Sequence, residues 1–298
     1  MMNKTVKIIL IVAACMIPAG AIIAGIGIAS GGRAGWSLGF SENGTSVNAG
    51  HVEETVELDD FENMELEIST MDVTIKRGDS YSVSYRTRKG DEPVIENDGL
   101  TLKIRQPNKI FVMFDFGGLG VDDGYTITVP EEAVPIGIDA SISTGDLTVD
   151  RVNLSGRIKT SSGDIMISDT EGEMLEIESS TGDINGDKIK VGALSIGSST
   201  GDINILRLFA QDFTSHTSTG DLNINNSELG KASIDTSTGD IELSLNGSPD
   251  DYSYIVDTST GDIHVNGDHT EKHYEKENGS KESISIHTST GDVDVTVK

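Results

Sequence analysis

The stretch Ser198-Ser199-Thr200-Gly201-Asp202-Ile203-Asn204-Ile205 decides the fold, because its centre recurs along the chain. Ser or Thr, then Gly-Asp, then Ile, Leu or Val stands at Gly145-Asp146, Gly163-Asp164, Gly182-Asp183, Gly201-Asp202, Gly220-Asp221, Gly239-Asp240, Gly261-Asp262 and Gly291-Asp292. Successive glycines are 18, 19, 19, 19, 19, 22 and 30 residues apart, a regularity that chance does not make. Self-similarity at a fixed period of this length is the signature of a repeat architecture.

Apolar residues alternate on both sides of each turn. Six and four places before the turn Thr stand Leu175/Ile177, Leu194/Ile196, Ala232/Ile234 and Ile284/Ile286, with Phe213/Ser215 and Tyr254/Val256 as variants. Three and five places after it stand Ile165/Ile167, Ile203/Ile205 and Leu222/Ile224. Period two marks strands, whose successive side chains point to opposite faces. Each unit is strand, sharp turn, strand, and a further apolar pair (Val152/Leu154, Ile189/Val191) supplies a third side. Nineteen residues cannot bury their apolar side alone, but stacked copies can, which predicts an all-β, right-handed β-solenoid spanning 52–298 with regular repeats over 138–298. A propeller would make odd and even repeats differ, and they do not. The Ca²⁺-binding nonapeptide roll needs a nine-residue period.

In the turn, Gly supplies positive φ and Asp is expected to hydrogen-bond its own backbone two residues on. Ser or Thr two places before the turn Thr (Ser179, Ser198, Thr217, Thr236, Thr258, Thr288) falls on the inward phase and is expected to form a column of hydroxyls bonded along the stack. The turn Asp residues then stand in a carboxylate column about 4.8 Å apart. Neighbours repel by about 0.9 kcal/mol in water and roughly 3.5 at an effective dielectric of 20, so the column must be wet. One carboxylate per coil is thin for Ca²⁺, which takes six or more oxygens. The column is read as structural, with no metal site, no cofactor and only weak Ca²⁺ binding in reserve.

Repeated Ser-Ser-Thr-Gly-Asp-Ile at this spacing behind an apolar N-terminal segment resembles the bacterial putative-adhesin family of membrane-anchored β-strand-repeat proteins, a domain of unknown function, and LiaG-like envelope proteins are similar. The resemblance covers about residues 52–298, with Ser69-Thr70-Met71-Asp72-Val73 a degenerate opening copy in which Met replaces Gly. It implies a right-handed solenoid at the cell envelope and no catalytic residues.

Ile8–Ala29 holds 22 residues without a charge, enough for a helix of about 30 Å, the hydrocarbon thickness of a bilayer. Lys4 and Lys7 precede it, which keeps residues 1–7 cytoplasmic and sends the rest outside. Two alternatives are cleavage before Cys15, as in a lipoprotein, and cleavage after Ala21 as a signal peptide; all three place the bulk outside the cytoplasm. Small residues four apart (Gly20/Ala24, Ala21/Gly25, Gly25/Ala29) are compatible with weak self-association of the span. Residues 30–51 read as a flexible Gly/Ser-rich linker. Its Gly35-Trp36-Ser37-Leu38-Gly39 matches G-x-S-x-G without the flanking strand and helix that motif needs.

Of the 22 basic residues, three precede Glu42, and all 49 acidic residues lie from Glu42 onward, so residues 42–298 carry a formal charge of −30. Such a polyanion repels phosphates and excludes nucleic acid as a partner. A single Cys excludes a disulfide framework.

Arg77-Gly78-Asp79-Ser80 is an integrin-binding signature, expected at a hairpin tip between strands Val73–Lys76 and Tyr81–Arg86. The long last interval is expected to place Asn266–Glu282 outside the stack as a solvated loop, where His269 and His273, four apart, suit a metal only if helical. A polysaccharide-cleaving enzyme needs one carboxylate pair in unlike environments, whereas repeated carboxylates have like neighbours and the six His are scattered. The sequence therefore predicts a non-enzymatic, membrane-anchored adhesin or binding and structural module for an unidentified surface or envelope ligand. An envelope-stress component relaying to membrane partners is the alternative.

Overall fold

The computed structural model describes residues 37–41, 44–47, 51–107, 112–115, 123–133 and 135–298. The expected span 8–29 and its cleavage alternatives lie outside these residues. Among the described residues no helix is long and apolar enough to cross a membrane. Two compact units are present, one holding the described residues 37–41, 44–47 and 112–115 and the other the described residues of 51–107 and 123–298. In the first, Ser37–Ser41 runs antiparallel to Gly44–Val47 and to Val112–Asp115. The stretch read as a flexible linker thus contains two paired strands, and Ser37 opens a strand followed by another strand, not the strand-to-helix elbow of a hydrolase.

The second unit is the expected solenoid. Ile165–Thr181, Ile184–Thr200, Ile203–Thr219 and Leu222–Thr238 pair in parallel, each residue beside the one 19 places on. One inward column shows how the apolar alternation is used. Tyr125, Val73, Leu147, Ile165, Ile184, Ile203, Leu222, Ile241, Val293 and Ile263 stand in consecutive register, each 2% exposed or less. Each such side chain contributes about 1.5 to 3 kcal/mol on burial. The weaker apolar pair forms the third side as expected: Ile189, Val191, Leu208 and Ala210 are all buried.

Between the first and third-side strands the chain turns at Arg151, Asp169, Lys188, Arg207 and Asn226, all with φ between 51° and 59°. This corner has no Gly; Asp169 and Asn226 suit the left-handed region, but Arg151, Lys188 and Arg207 carry no turn signature, so no residue type recurs to mark it. An L-residue held there costs roughly 1 to 2 kcal/mol, offset where its exposed side chain pairs with the coil: Arg207 Nε lies 2.8 Å from Asp187 and Arg151 Nη2 3.0 Å from Asp150.

The last two intervals are where the stack departs from sequence order. The 22-residue interval accommodates the 3₁₀ turn Pro249–Asp251, capped by Ser248, after which Tyr252 closes the end of the third side by donating its hydroxyl to Leu229 O at 2.9 Å. The final repeat does not extend the stack beyond the coil before it but inserts beneath that coil. Glu282–Thr290 lies between Lys231–Thr238 and Tyr252–Thr260, parallel to both, and Val293–Val297 lies beside Ile241–Leu245, with Val293–Val295 also pairing Ile263–Val265. The glycine order in space is therefore 239, 291, 261.

This corrects the reading of Asn266–Glu282 as a loop outside the stack. Asp268–Thr270 pairs antiparallel with Ile263–Val265, and His273–Lys276 pairs antiparallel with Tyr254–Asp257. The segment caps the outermost coil and carries the chain back to the layer left open beneath it. Thirty residues is the length of that detour.

Because the last repeat is an interior layer, Ile286→Ala should cost about as much as Ile234→Ala, roughly 2 to 5 kcal/mol each in chemical denaturation. A much smaller loss at Ile286, as fraying of a terminal coil would give, would contradict the intercalated order.

Candidate functional site

The repeated turn builds one edge of the solenoid, and its bonding differs from the local Asx turn expected. Asp164 N–H donates to Asp146 Oδ1, Asp183 N–H to Asp164, Asp202 N–H to Asp183, Asp221 N–H to Asp202 and Asp240 N–H to Asp221, at 2.8–2.9 Å. The chain of bonds extends to Asp146 on Asp72 below, and to Asp292 on Asp240 and Asp262 on Asp292 above, each at 2.8 Å. At this corner the carboxylate takes the place of a backbone carbonyl. Flanking it, Gly201 N–H donates to Thr219 O and Ile203 N–H to Asp221 O, so the bend loses no inter-coil bond.

Gly is required here for two reasons. Gly201 has φ 135°, and a Cβ on it would stand 2.2 Å from Gly182 O in the preceding coil. Met71 is accommodated because it opens the stack: no Thr-Gly-Asp turn lies beneath it, and the turn is closed below by Gln106, whose Oε1 accepts from Ser69 and Thr70 N–H at 2.9 Å. Met71 does not take the left-handed conformation, yet Asp72 keeps its place in the ladder.

The inward hydroxyl column is present and buried, but its members do not bond one another. Thr258 alone of the expected set has a partner, donating to Gly291 O at 3.1 Å, while Ser179, Ser198, Thr217, Thr236 and Thr288 have none.

Arg77-Gly78-Asp79-Ser80 is not a hairpin tip. Gly124–Pro130 lies between the two flanking strands, parallel to Asp72–Gly78 and antiparallel to Ser82–Arg88. Arg77 is half-buried with its guanidinium 3.2 Å from Glu131, and Ser80 Oγ donates to Glu57 at 3.1 Å.

The histidines are less scattered than their numbering. Intercalation of the last repeat puts His216, Asp235, His287, Asp257 and His273 in one outward column, and Asp294, His264 and His269 in another. Five of the six His thus stand in these two columns; the repeat spacing already gives His216 and His287 one outward position, whereas the joining of His264, His269 and His273 depends on the intercalated order and the cap. His264 and His269 stack at 4.7 Å, and His264 Nδ1 lies 3.5 Å from Asp294. Among the described residues no group of three or more His, Cys, Asp or Glu could hold a metal ion. The metal-compatible i, i+4 spacing of His269 and His273 is not used, since the segment is strand, not helix.

These features define a class: an all-β repeat domain whose parallel coils are tied at one edge by a carboxylate-to-amide ladder. Residues 61–296 match the Toastrack DUF4097 family, a domain of unknown function, and the chain belongs to it. No curated protein matches the chain. Among solved structures it is similar to a putative adhesin from Bacteroides fragilis (11% identity, TM-score 0.49, 84% of this chain and 98% of that one). It is also similar to a putative lipid binding protein from Parabacteroides distasonis (16%, 0.48, 84% and 96%) and a putative cell adhesion protein from Clostridium sporogenes (12%, 0.30, 84% and 100%).

Two outcomes follow from this geometry. Asp202→Ala leaves the Asp221 N–H without its acceptor and should cost about 1 to 3 kcal/mol. Asp202→Asn keeps an accepting oxygen and removes a charge from the column, and should melt within a few degrees of the parent. Equal losses for the two, by calorimetry, would show that charge rather than acceptance matters.

The second outcome concerns the cap. The hydrogen bond from His273 Nδ1–H to Asp257 Oδ1, at 2.7 Å, raises the His273 pKa above its ordinary value, with Glu275 adding to it. A raised folded-state pKa stabilises fully below the unfolded value of about 6.5 and is lost as pH rises through the raised value. Hydrogen-exchange protection of His273–Lys276, corrected for intrinsic rate, should therefore fall as pH passes through that window, and His273→Gln should flatten the profile. A flat profile in the parent would rule the pair out as an anchor of the cap.

Proposed function

We propose that the chain is a non-enzymatic binding and structural module displayed outside the cell on an N-terminal membrane anchor. The observation that carries this reading is the register itself: outward side chains of successive coils stand in columns, so the solenoid offers extended, rigid sheet faces with repeated chemistry. Such faces suit a ligand that is itself extended or repeated. The ladder carboxylates share one bonding pattern from coil to coil, unlike the differentiated pair that hydrolysis needs.

Anchoring rests on the 22 uncharged residues Ile8–Ala29 with Lys4 and Lys7 before them, and a right-handed coil on the general handedness of parallel crossovers. Ca²⁺ is a weak, dispensable ligand in this reading, because one oxygen of each ladder carboxylate is committed to the next Asp N–H. Nucleic acid is not a partner of so acidic a surface.

Protease added to intact cells should degrade the domain without lysis, and isolated cell envelopes should retain both the full chain and a form lacking residues 1–30. Retention only by the full chain would favour relay to membrane partners through the span over adhesion. Protection of the domain in intact cells would overturn the outside location.

A further inference from the structure

The outward side of the post-turn strands carries a stretch unlike the rest of this polyanion. Asn185, Asn204 and Asn223 stand in one column, in register on adjacent coils, with Met166 below them. Beside them runs a second column of Ser168, Asp187, Leu206 and Asn225. The only charge in either column over these four coils is Asp187, and Arg207 neutralises it at 2.8 Å. Acidic residues resume on both sides, at Asp150 below and Glu242 above. Together these residues line a shallow open groove of about 500 Å³.

We propose that this groove binds a neutral polysaccharide laid along the stack, a ligand class that rests on the binding-module reading above and makes it specific. Each Asn presents an acceptor and two donors, the same capacity a sugar hydroxyl pairs with. Asn223 Nδ2 donates to Asn204 Oδ1 at 3.1 Å, which orients the amides in advance and leaves further donors and acceptors free. Preorganised groups lose less entropy on binding. Repetition every 4.8 Å or so favours a repeating chain over a single small molecule. Met166 and Leu206, 52% and 38% exposed, supply apolar surface for the C–H faces of sugar rings. An anionic glycan is repelled by the net charge of −27. A cationic peptide would gain more from the acidic columns than from this neutral one, and the groove has none of the aromatic anchors on which protein partners usually depend.

The full chain in detergent is run through native gels containing hydroxyethylcellulose, galactomannan or dextran, with polygalacturonate as the anionic control. At least one neutral polymer should retard it and polygalacturonate should not. Asn204→Asp with Asn223→Asp should weaken retardation tenfold or more. The uncharged pair Asn204→Ser with Asn223→Ser should weaken it by a smaller factor, which guards against an effect of charge repulsion on folding. Glu228→Gln, exposed on the third side, should leave it unchanged, and melting temperatures confirm that each variant is folded. Retardation by no neutral polymer, equal retardation by polygalacturonate, or retardation that survives both Asn pairs would overturn the proposal. Envelope retention of the form lacking residues 1–30, with and without Asn204→Asp/Asn223→Asp, separates the two levels: if neutral polymers fail but envelopes still hold this form, the glycan assignment falls and the binding module stands.

Discussion

The hydrogen bond from each turn Asp N–H to the carboxylate of the Asp one layer away is the constraint on which the rest depends. A parallel sheet folded into a coil must bend, and at the bend the backbone carbonyl that would accept this N–H points elsewhere. The Asp side chain supplies the missing oxygen. A hydrogen bond to a charged group is worth about 1.5 to 3 kcal/mol, against roughly 0.9 kcal/mol of repulsion between successive carboxylates in water. The ladder is stable because it is exposed. The same bend brings Gly201 so near to the preceding coil that a Cβ would stand 2.2 Å from Gly182 O, so Gly and Asp are two halves of one solution to the corner.

Stacking creates a second problem, the open edge at each end, where unpaired strands invite pairing with other chains. At the C-terminal end the chain turns back on itself: His273–Lys276 and Asp268–Thr270 lie antiparallel on the last coil, with His269, His273 and Glu275 on their outer face. The final repeat then enters the layer beneath. A terminal segment that would otherwise be free to fray is paired on both sides, and the cap cannot detach without disturbing it. At the N-terminal end, His51–Glu57 and Val94–Asn97 finish the two sides with antiparallel pairing and carry Glu53, Glu54, Glu57 and Glu96.

What remains for function is the outer surface. Its columns differ in chemistry because each outward position is chosen independently of the core: ion pairs such as Arg157–Glu176 and Lys159–Glu178 at 2.9 and 2.7 Å on one side, alternating His and Asp near the cap, and uncharged amides on the post-turn side. A rigid scaffold with independent faces is a suitable base for binding, since the coil fixes spacing while the outward residues set the ligand.

The sequence by itself determined the coil. Period two on either side of Thr-Gly-Asp, at intervals of 19, was enough for strand, turn and stacked repeat, because inward and outward positions alternate strictly and the core accepts little but Ile, Leu and Val. It also located the ladder residues, though not their bonds, since an Asp in a turn has a local acceptor role as well as a distant one and only the neighbouring layer selects between them. The corner at Arg207 and its equivalents was not legible, because the left-handed backbone there is imposed by the sheets on either side rather than chosen by the residue. Tertiary structure alone decided the order 239, 291, 261, the separation of Asp72–Gly78 from Ser82–Arg88 by an inserted strand, and the placement of His269 and His273 on the cap. Identical repeats have identical edges, so sequence fixes what each coil can pair with but not which coil it meets; that choice falls to the packing that leaves no edge exposed.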